Sequence, residues 1–199
     1  LDVHTWGFHY CASVKRAKSE AEAAVEACEK LNAKAYHWNA EKTWDASADP
    51  EKFAVAFAEA FKNMAPKVDL YANCFSSKVT SYMLESFDYY EPMIYGTRRT
   101  TIASKFSKRF SSPDIPNDKR CAMVGTGRKQ KDNTRQAWGY LKAAKGSTGT
   151  NGLDALVKAN KPASINFFRG GRIDGEDMMS ESNSINPSLS DQIKHIKQY

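Results

Sequence analysis

Short apolar runs alternate along the chain with longer stretches of helical periodicity, the pattern of a parallel sheet with helical crossovers. The runs fall at 5–12, 34–41, 68–75, 92–96, 121–126 and 163–168, and predict six strands. Between the first two, Ser19 to Leu31 reads as a helix. Ser19 and Glu22 form a capping box, and Ala24, Val25, Cys28 and Leu31 make its apolar stripe. Asp49-Pro50-Glu51 starts the next helix, with an acceptor at the N-cap, a proline in the first turn and an acid at the positive end of the helix dipole. Phe53, Phe57, Ala60, Phe61 and Met64 form its core face. Ser76 to Phe87 reads as a third helix with Val79, Met83 and Phe87 inward. Further helices are predicted over 100–110, 133–145 and 153–160, and a last one around Leu189, Ile193 and Ile196. Residues 111–119, with two prolines, and 170–187 read as loops.

One βα rhythm over 199 residues predicts a single domain spanning 1–199. Its fold class is α/β, of the (β/α)8 TIM-barrel type. A closed barrel needs eight strands, so this one is expected to lack its first one or two, ahead of Leu1, and to be incomplete at the N-terminus. The competing architecture is an open, doubly wound sheet.

Composition narrows this little. Apolar residues make up 41% and charged residues 26%, enough to bury a core and to exclude a disordered chain. No window approaches 18 uninterrupted apolar residues, so no membrane span is expected. The sequence opens Leu-Asp-Val without an initiator Met or signal peptide, as a processed chain or fragment does. The net charge of +6 is spread among acids, with one denser stretch from Arg98 to Arg135. It reads as a solvated surface, and no motif points to nucleic acid as a partner. Cys11, Cys28, Cys74 and Cys121 form no CxxC pair and read as buried thiols, so neither a metal nor a cofactor is expected.

Chemistry in parallel α/β folds gathers at the C-terminal ends of strands. The second strand ends Tyr36-His37-Trp38-Asn39-Ala40-Glu41. Side chains alternate, so His37, Asn39 and Glu41 share one face. Three polar residues on one face of a parallel strand need hydrogen bonds or a function to offset their burial. Shielding of Glu41 by Trp38 and Trp44 would raise its pKa, as a general acid requires. The competing reading has His37 and Asn39 bonded to neighbours and Glu41 capping the next turn. Other strand ends offer His9, Asn73, Tyr95, Arg128 and Arg169 as partners. Trp6, Trp38, Trp44, Tyr71 and Tyr95 are candidate walls for stacking sugar rings. Glu91, Asp45 and Asp69 are the available second acids, with Asp69 and Glu91 placed at the wrong ends of their strands.

Trp-Gly-Phe-His-Tyr, a strand closing on x-x-Glu, Val-Asp-Leu-Tyr-Ala-Asn and Pro-Met-Ile-Tyr-Gly together resemble family 25 glycoside hydrolases, the lysozyme-type muramidases. The likeness covers Trp6 to Gly96. More loosely, the chain resembles the family 18 and family 85 barrels. In families 25 and 18 the matching strand ends Asp-x-Glu, so the resemblance implies Glu41 as acid/base. Asn39 stands where the Asp would be. An Asn cannot stabilise a cationic intermediate by charge, but it can orient an acetamido group, and family 85 is similar in having Asn-x-Glu.

Three functions follow as expectations. The first is a retaining glycosidase on peptidoglycan- or chitin-type N-acetylated polysaccharide, with catalytic Glu41 and Asn39, and a substrate site of His37, Trp44, Asn73, Tyr95, His9, Arg128 and Arg169. The second is a catalytically silent structural or glycan-binding barrel of a larger assembly, such as a phage virion, with other subunits as partners and a virion or extracellular location. The third is a phosphate-binding barrel that uses the glycine turns at 125–128 and 169–172.

Overall fold

The computed structural model of the chain describes residues 2–74, 78–94, 102–111, 114–125, 153–168, 172–173 and 176–177. They divide into two compact units, Leu1–Pro92 with Ser112–Ile115, and Met93–Ser111 with Pro116–Tyr199.

In the first unit β1 (His4–His9), α1 (Val14–Leu31), β2 (Ala35–Ala40), α2 (Lys42–Asp45), α3 (Pro50–Met64), β3 (Asp69–Cys74), α4 (Ser81–Glu85) and β4 (Tyr89–Tyr90) follow in order. The four strands are parallel, in the order β1-β2-β3-β4. β1 ends before the predicted residue 12 because Cys11 takes a left-handed backbone, with φ 41°, that no strand continues through. α1 begins at Val14 rather than at Ser19. Ser13 is its true N-cap, with its hydroxyl accepting from Arg16 N at 3.2 Å, and the Ser19–Glu22 pair lies inside the helix. The buried stripe of α1 is Ala17, Ala21, Ala24, Val25 and Cys28, while Leu31 is exposed. α3 starts as predicted, with Asp49 accepting from Lys52 N and Pro50 in the first turn. It buries Phe57, Phe61 and a run of small residues including Ala54 and Ala58, and leaves Met64 exposed. α4 is shorter than predicted and is capped by Thr80, whose hydroxyl also bonds Glu51 of α3. Val79, Met83 and Phe87 are buried around it.

The register decides what each face of this sheet carries. Trp6, His37, Tyr71 and Tyr89 lie side by side across four strands, and Phe8, Asn39 and Asn73 lie one step further on. Between them, on the opposite face, run Gly7, Trp38, Ala72 and Tyr90. The helices cover that second face. Phe57 and Phe61 of α3 meet Tyr36, and Phe57 also meets His9 and Trp38, at ring-centroid distances of 4.6 to 6.4 Å. Burying such aromatic side chains supplies most of the unit's driving force, at roughly 1.5–3 kcal/mol for each large apolar side chain.

The predicted strand over 92–96 begins earlier and divides. Tyr89–Tyr90 belong to the first sheet, and β5 (Met93–Ile94) opens the second. Pro92 lies between them, where its missing N–H cannot serve a ladder.

In the second unit α5 (Ile102–Ser111), β6 (Cys121–Gly125), α6 (Leu153–Asn160) and β7 (Ser164–Phe168) follow. β5, β6 and β7 form a parallel three-stranded sheet in that order. Asn160, buried at the end of α6, accepts from Ser107 Oγ at 2.9 Å and donates to Ala103 O, which joins α6 to α5. Part of the predicted loop over 170–187 is a small antiparallel pair, β8 (Arg172–Ile173) and β9 (Glu176–Asp177). The helices predicted over 133–145 and near Leu189 lie outside the described residues.

Candidate functional site

The polar face of β2 is where the chemistry-bearing residues converge. His37 is buried, and its Nδ1 lies 2.7 Å from Glu91 Oε2. Glu91 is fully buried and also accepts from Asn73 Nδ2 at 2.8 Å. On its other side, His37 Nε2 lies 3.1 Å from His4 Nδ1. With Glu91 accepting, the network assigns the His37 proton to Nδ1, so Nε2 accepts from His4. Burial and then the nearby His37 lower the His4 pKa below 6.5. Tyr71 stacks on His37 at 4.4 Å, and Tyr89 stacks on Tyr71 at 4.6 Å.

Glu91 corrects the sequence reading. It stands at the C-terminal end of β4, the reactive end, because the strand starts at Tyr89 rather than at Pro92. Its amide donates to Ala72 O and extends the ladder beside β3.

Asn39 sits between Phe8 and Asn73 in register. Its Oδ1 is buried and has no hydrogen-bond partner among the described residues. A buried acceptor left unpaired costs about 1–3 kcal/mol. Glu41 lies one residue past β2, at the N-cap of α2. Its backbone oxygen accepts from Asp45 N, but its side chain makes no capping bond. Its carboxyl group is exposed, with no partner among the described residues. The predicted shielding by tryptophans is not there. Trp38 and Trp44 are fully buried against each other, 5.2 Å apart and edge to face, and the Trp44 indole donates to Pro50 O. Trp44 therefore offers no surface to a ligand. β1 instead exposes Trp6 (60%) and Phe8 (42%) on the polar face.

His9, expected beside these residues, lies on the opposite face. Its Nε2 bonds Tyr36 OH at 2.8 Å and its Nδ1 bonds Glu20 Oε2 at 3.1 Å. Glu20 also accepts from Arg16 Nε at 2.7 Å and from the Tyr10 and Cys11 amides. Burial raises the Glu20 pKa, but the bonds from His9, Arg16 and Cys11 outweigh it and hold the carboxyl at about 2, below 4.5. A carboxylate with a depressed folded pKa contributes stability above its unfolded value and loses it as pH falls through the folded one. Unfolding titrations in metal-free buffer will show stability lost between pH 4.5 and 2, and Glu20→Gln will flatten that dependence.

Tyr95, Arg128 and Arg169, and the glycine turns around them, lie outside the described residues. The four cysteines are free and buried. Among the described residues, no helix is long and apolar enough to cross a membrane.

The parallel βα order of the described residues is that of part of a (β/α) barrel. No family model matches the sequence, and no curated protein matches it. Solved structures do. A GH18 chitinase from Pseudoalteromonas aurantia superposes with a TM-score of 0.57 at 12% identity, over 84% of this chain and 67% of that one. An endo-beta-N-acetylglucosaminidase from Cordyceps militaris, in apo form, gives a TM-score of 0.64 at 10% identity, over 99% and 69%. A double mutant of that enzyme, Asp to Asn and Glu to Gln, in complex with fucosyl-N-acetylglucosamine-Asn, gives 0.58 at 10% identity. The likeness includes a family 18 enzyme, the type the sequence resembles more loosely than it does family 25.

Proposed function

We propose that the polar face of β1–β4 binds N-acetylated glycan of the chitin or peptidoglycan type and cleaves it, with Glu41 as acid/base and Asn39 orienting the acetamido group. The unpartnered Oδ1 of Asn39 carries this reading, because an acetamido N–H is the donor it lacks. Glu41 stands two residues on, with its carboxyl uncommitted. The pair altered in the mutant neighbour, an Asp and a Glu, has the same two-residue spacing.

In this mechanism the acetamido oxygen of the substrate attacks the anomeric carbon while Glu41 protonates the departing glycosidic oxygen. Glu41 then takes a proton from the water that opens the cyclic intermediate, and the configuration is retained. His37 and Asn73, held by Glu91, form the wall beside Asn39. Asn39 supplies no charge to the cationic intermediate, so turnover is expected to be slow.

Calorimetry with a soluble chitin oligosaccharide and its deacetylated counterpart tests the acetamido contact. The acetylated ligand will bind at least about tenfold more tightly, as one hydrogen bond of about 1.4 kcal/mol requires, and Asn39→Ala will lose that preference. Equal binding of the two ligands by the wild-type chain contradicts it.

A further inference from the structure

We propose that His9, Cys11 and Glu20 form a zinc-type metal site that fastens the end of β1 to α1. Among the described residues, these three form a group of metal-ligating side chains whose donor atoms all lie within 4.8 Å of one another. Nitrogen, thiolate and carboxylate donors together suit zinc, and none of the three belongs to the polar face described above.

The distances fit. A tetrahedral zinc with bonds of about 2.1 Å to N and O and about 2.3 Å to S places N and O about 3.4 Å apart, and S and O about 3.6 Å apart. In the structure His9 Nδ1 and Cys11 Sγ lie 3.1 and 3.4 Å from Glu20 Oε2. These two edges need to open by only a few tenths of an ångström, and the third, between His9 and Cys11, lies within 4.8 Å. The surrounding groups also match what a metal site requires. Tyr36 OH holds the other nitrogen of His9 at 2.8 Å, and Arg16 holds the other oxygen of Glu20 at 2.7 Å. A shallow basin lined by Ser13, Lys15, Arg16, Ser19 and Ala23 reaches Glu20.

Cys11 adds a separate reason. It occupies a left-handed backbone position, φ 41°, where glycine fits at the least cost. A cysteine there accepts that cost and directs its thiol at Glu20. Burial, and then Glu20, keep the thiol protonated in the metal-free chain. When zinc enters, the S–H bond breaks, the S–Zn bond forms and the proton leaves to solvent. His9 moves its remaining proton to Nε2 and donates it to Tyr36, which turns from donor to acceptor. One thiolate and one carboxylate neutralise the ion, so the nearby cations Lys15 and Arg16 face no excess positive charge.

The test uses the full chain, stripped with a chelator and titrated with Co2+ and then with Zn2+. One equivalent of Co2+ giving a thiolate-to-cobalt charge-transfer band, displaced by Zn2+, is the expected result. Cys11→Ser will lose the band, Cys28→Ala will keep it, and Tyr36→Phe will bind about ten- to a hundredfold more weakly. Absence of the band from the folded wild-type chain overturns the proposal, and so does a band that survives in folded Cys11→Ser. Should Cys11→Ser fail to fold, the wild-type spectrum and Cys28→Ala still decide.

Discussion

Glu91→Ala will destabilise the chain by about 2–4 kcal/mol in denaturant unfolding, because it removes the side-chain acceptor of two buried donors at about 1–3 kcal/mol for each group left short of a partner. Glu91 is fully buried, and its carboxyl group accepts from both His37 and Asn73. Alanine removes the carboxylate acceptor of His37 Nδ1, and from residue 91 Asn73 Nδ2 keeps only the backbone oxygen, at 3.2 Å. Glu91→Gln keeps the shape and one acceptor oxygen, so it will cost less. The contrast is Glu26, whose pair with Lys30 on α1 is exposed on both sides. Glu26→Ala will leave the midpoint unchanged within error, because solvent screens such pairs. A Glu91→Ala chain as stable as the wild type would mean that the His37–Asn73–Glu91 network does not hold the face together.

Glu41→Gln will lower the rate of glycan cleavage by about 10²–10⁴-fold, the usual contribution of a general acid/base, while leaving the unfolding midpoint unchanged. The two outcomes separate because of where Glu41 sits. Its side chain is exposed, makes no cap bond and has no partner among the described residues, so nothing in the fold depends on its charge. Glutamine retains the size and one carbonyl oxygen but can neither give a proton to a leaving oxygen nor take one from water. A loss of binding without a change in rate would instead make Glu41 a contact residue.

The alternation of strands and helices was legible because it rests on periodicity. The core residues of α4 and the start of α3 at Asp49-Pro50 follow directly from apolar spacing and capping chemistry. The face shared by His37 and Asn39 was legible for the same reason, since a strand alternates with period two. Partners across the sheet were not. Register alone brings Glu91 to His37, and it depends on β4 starting at Tyr89. The signal was present in Asp88-Tyr89-Tyr90-Glu91 ahead of Pro92: two aromatic residues favour a strand, and a proline ends a ladder rather than starting one. Trp44 misled because an aromatic residue beside a strand end serves a core as readily as a ligand. His9 has the opposite strand parity to Trp6 and Phe8, which puts it with Trp38 and Phe57 under the helices. The carboxyl of Glu20 was not legible at all, since nothing in a helix sequence says that its side chain turns back to the preceding loop.

The central claim is that Glu41 and Asn39 form a working site for N-acetylated glycan. The most direct measurement is a time course of oligosaccharide release from soluble chitin fragments and from peptidoglycan, run with the wild-type and Glu41→Gln chains at equal folded concentration. Release by the wild-type chain with the configuration at the new end retained, and a rate at least about a hundredfold lower for Glu41→Gln, is the predicted result. Equal release by the two chains, or none by the wild type on either polymer, would contradict it.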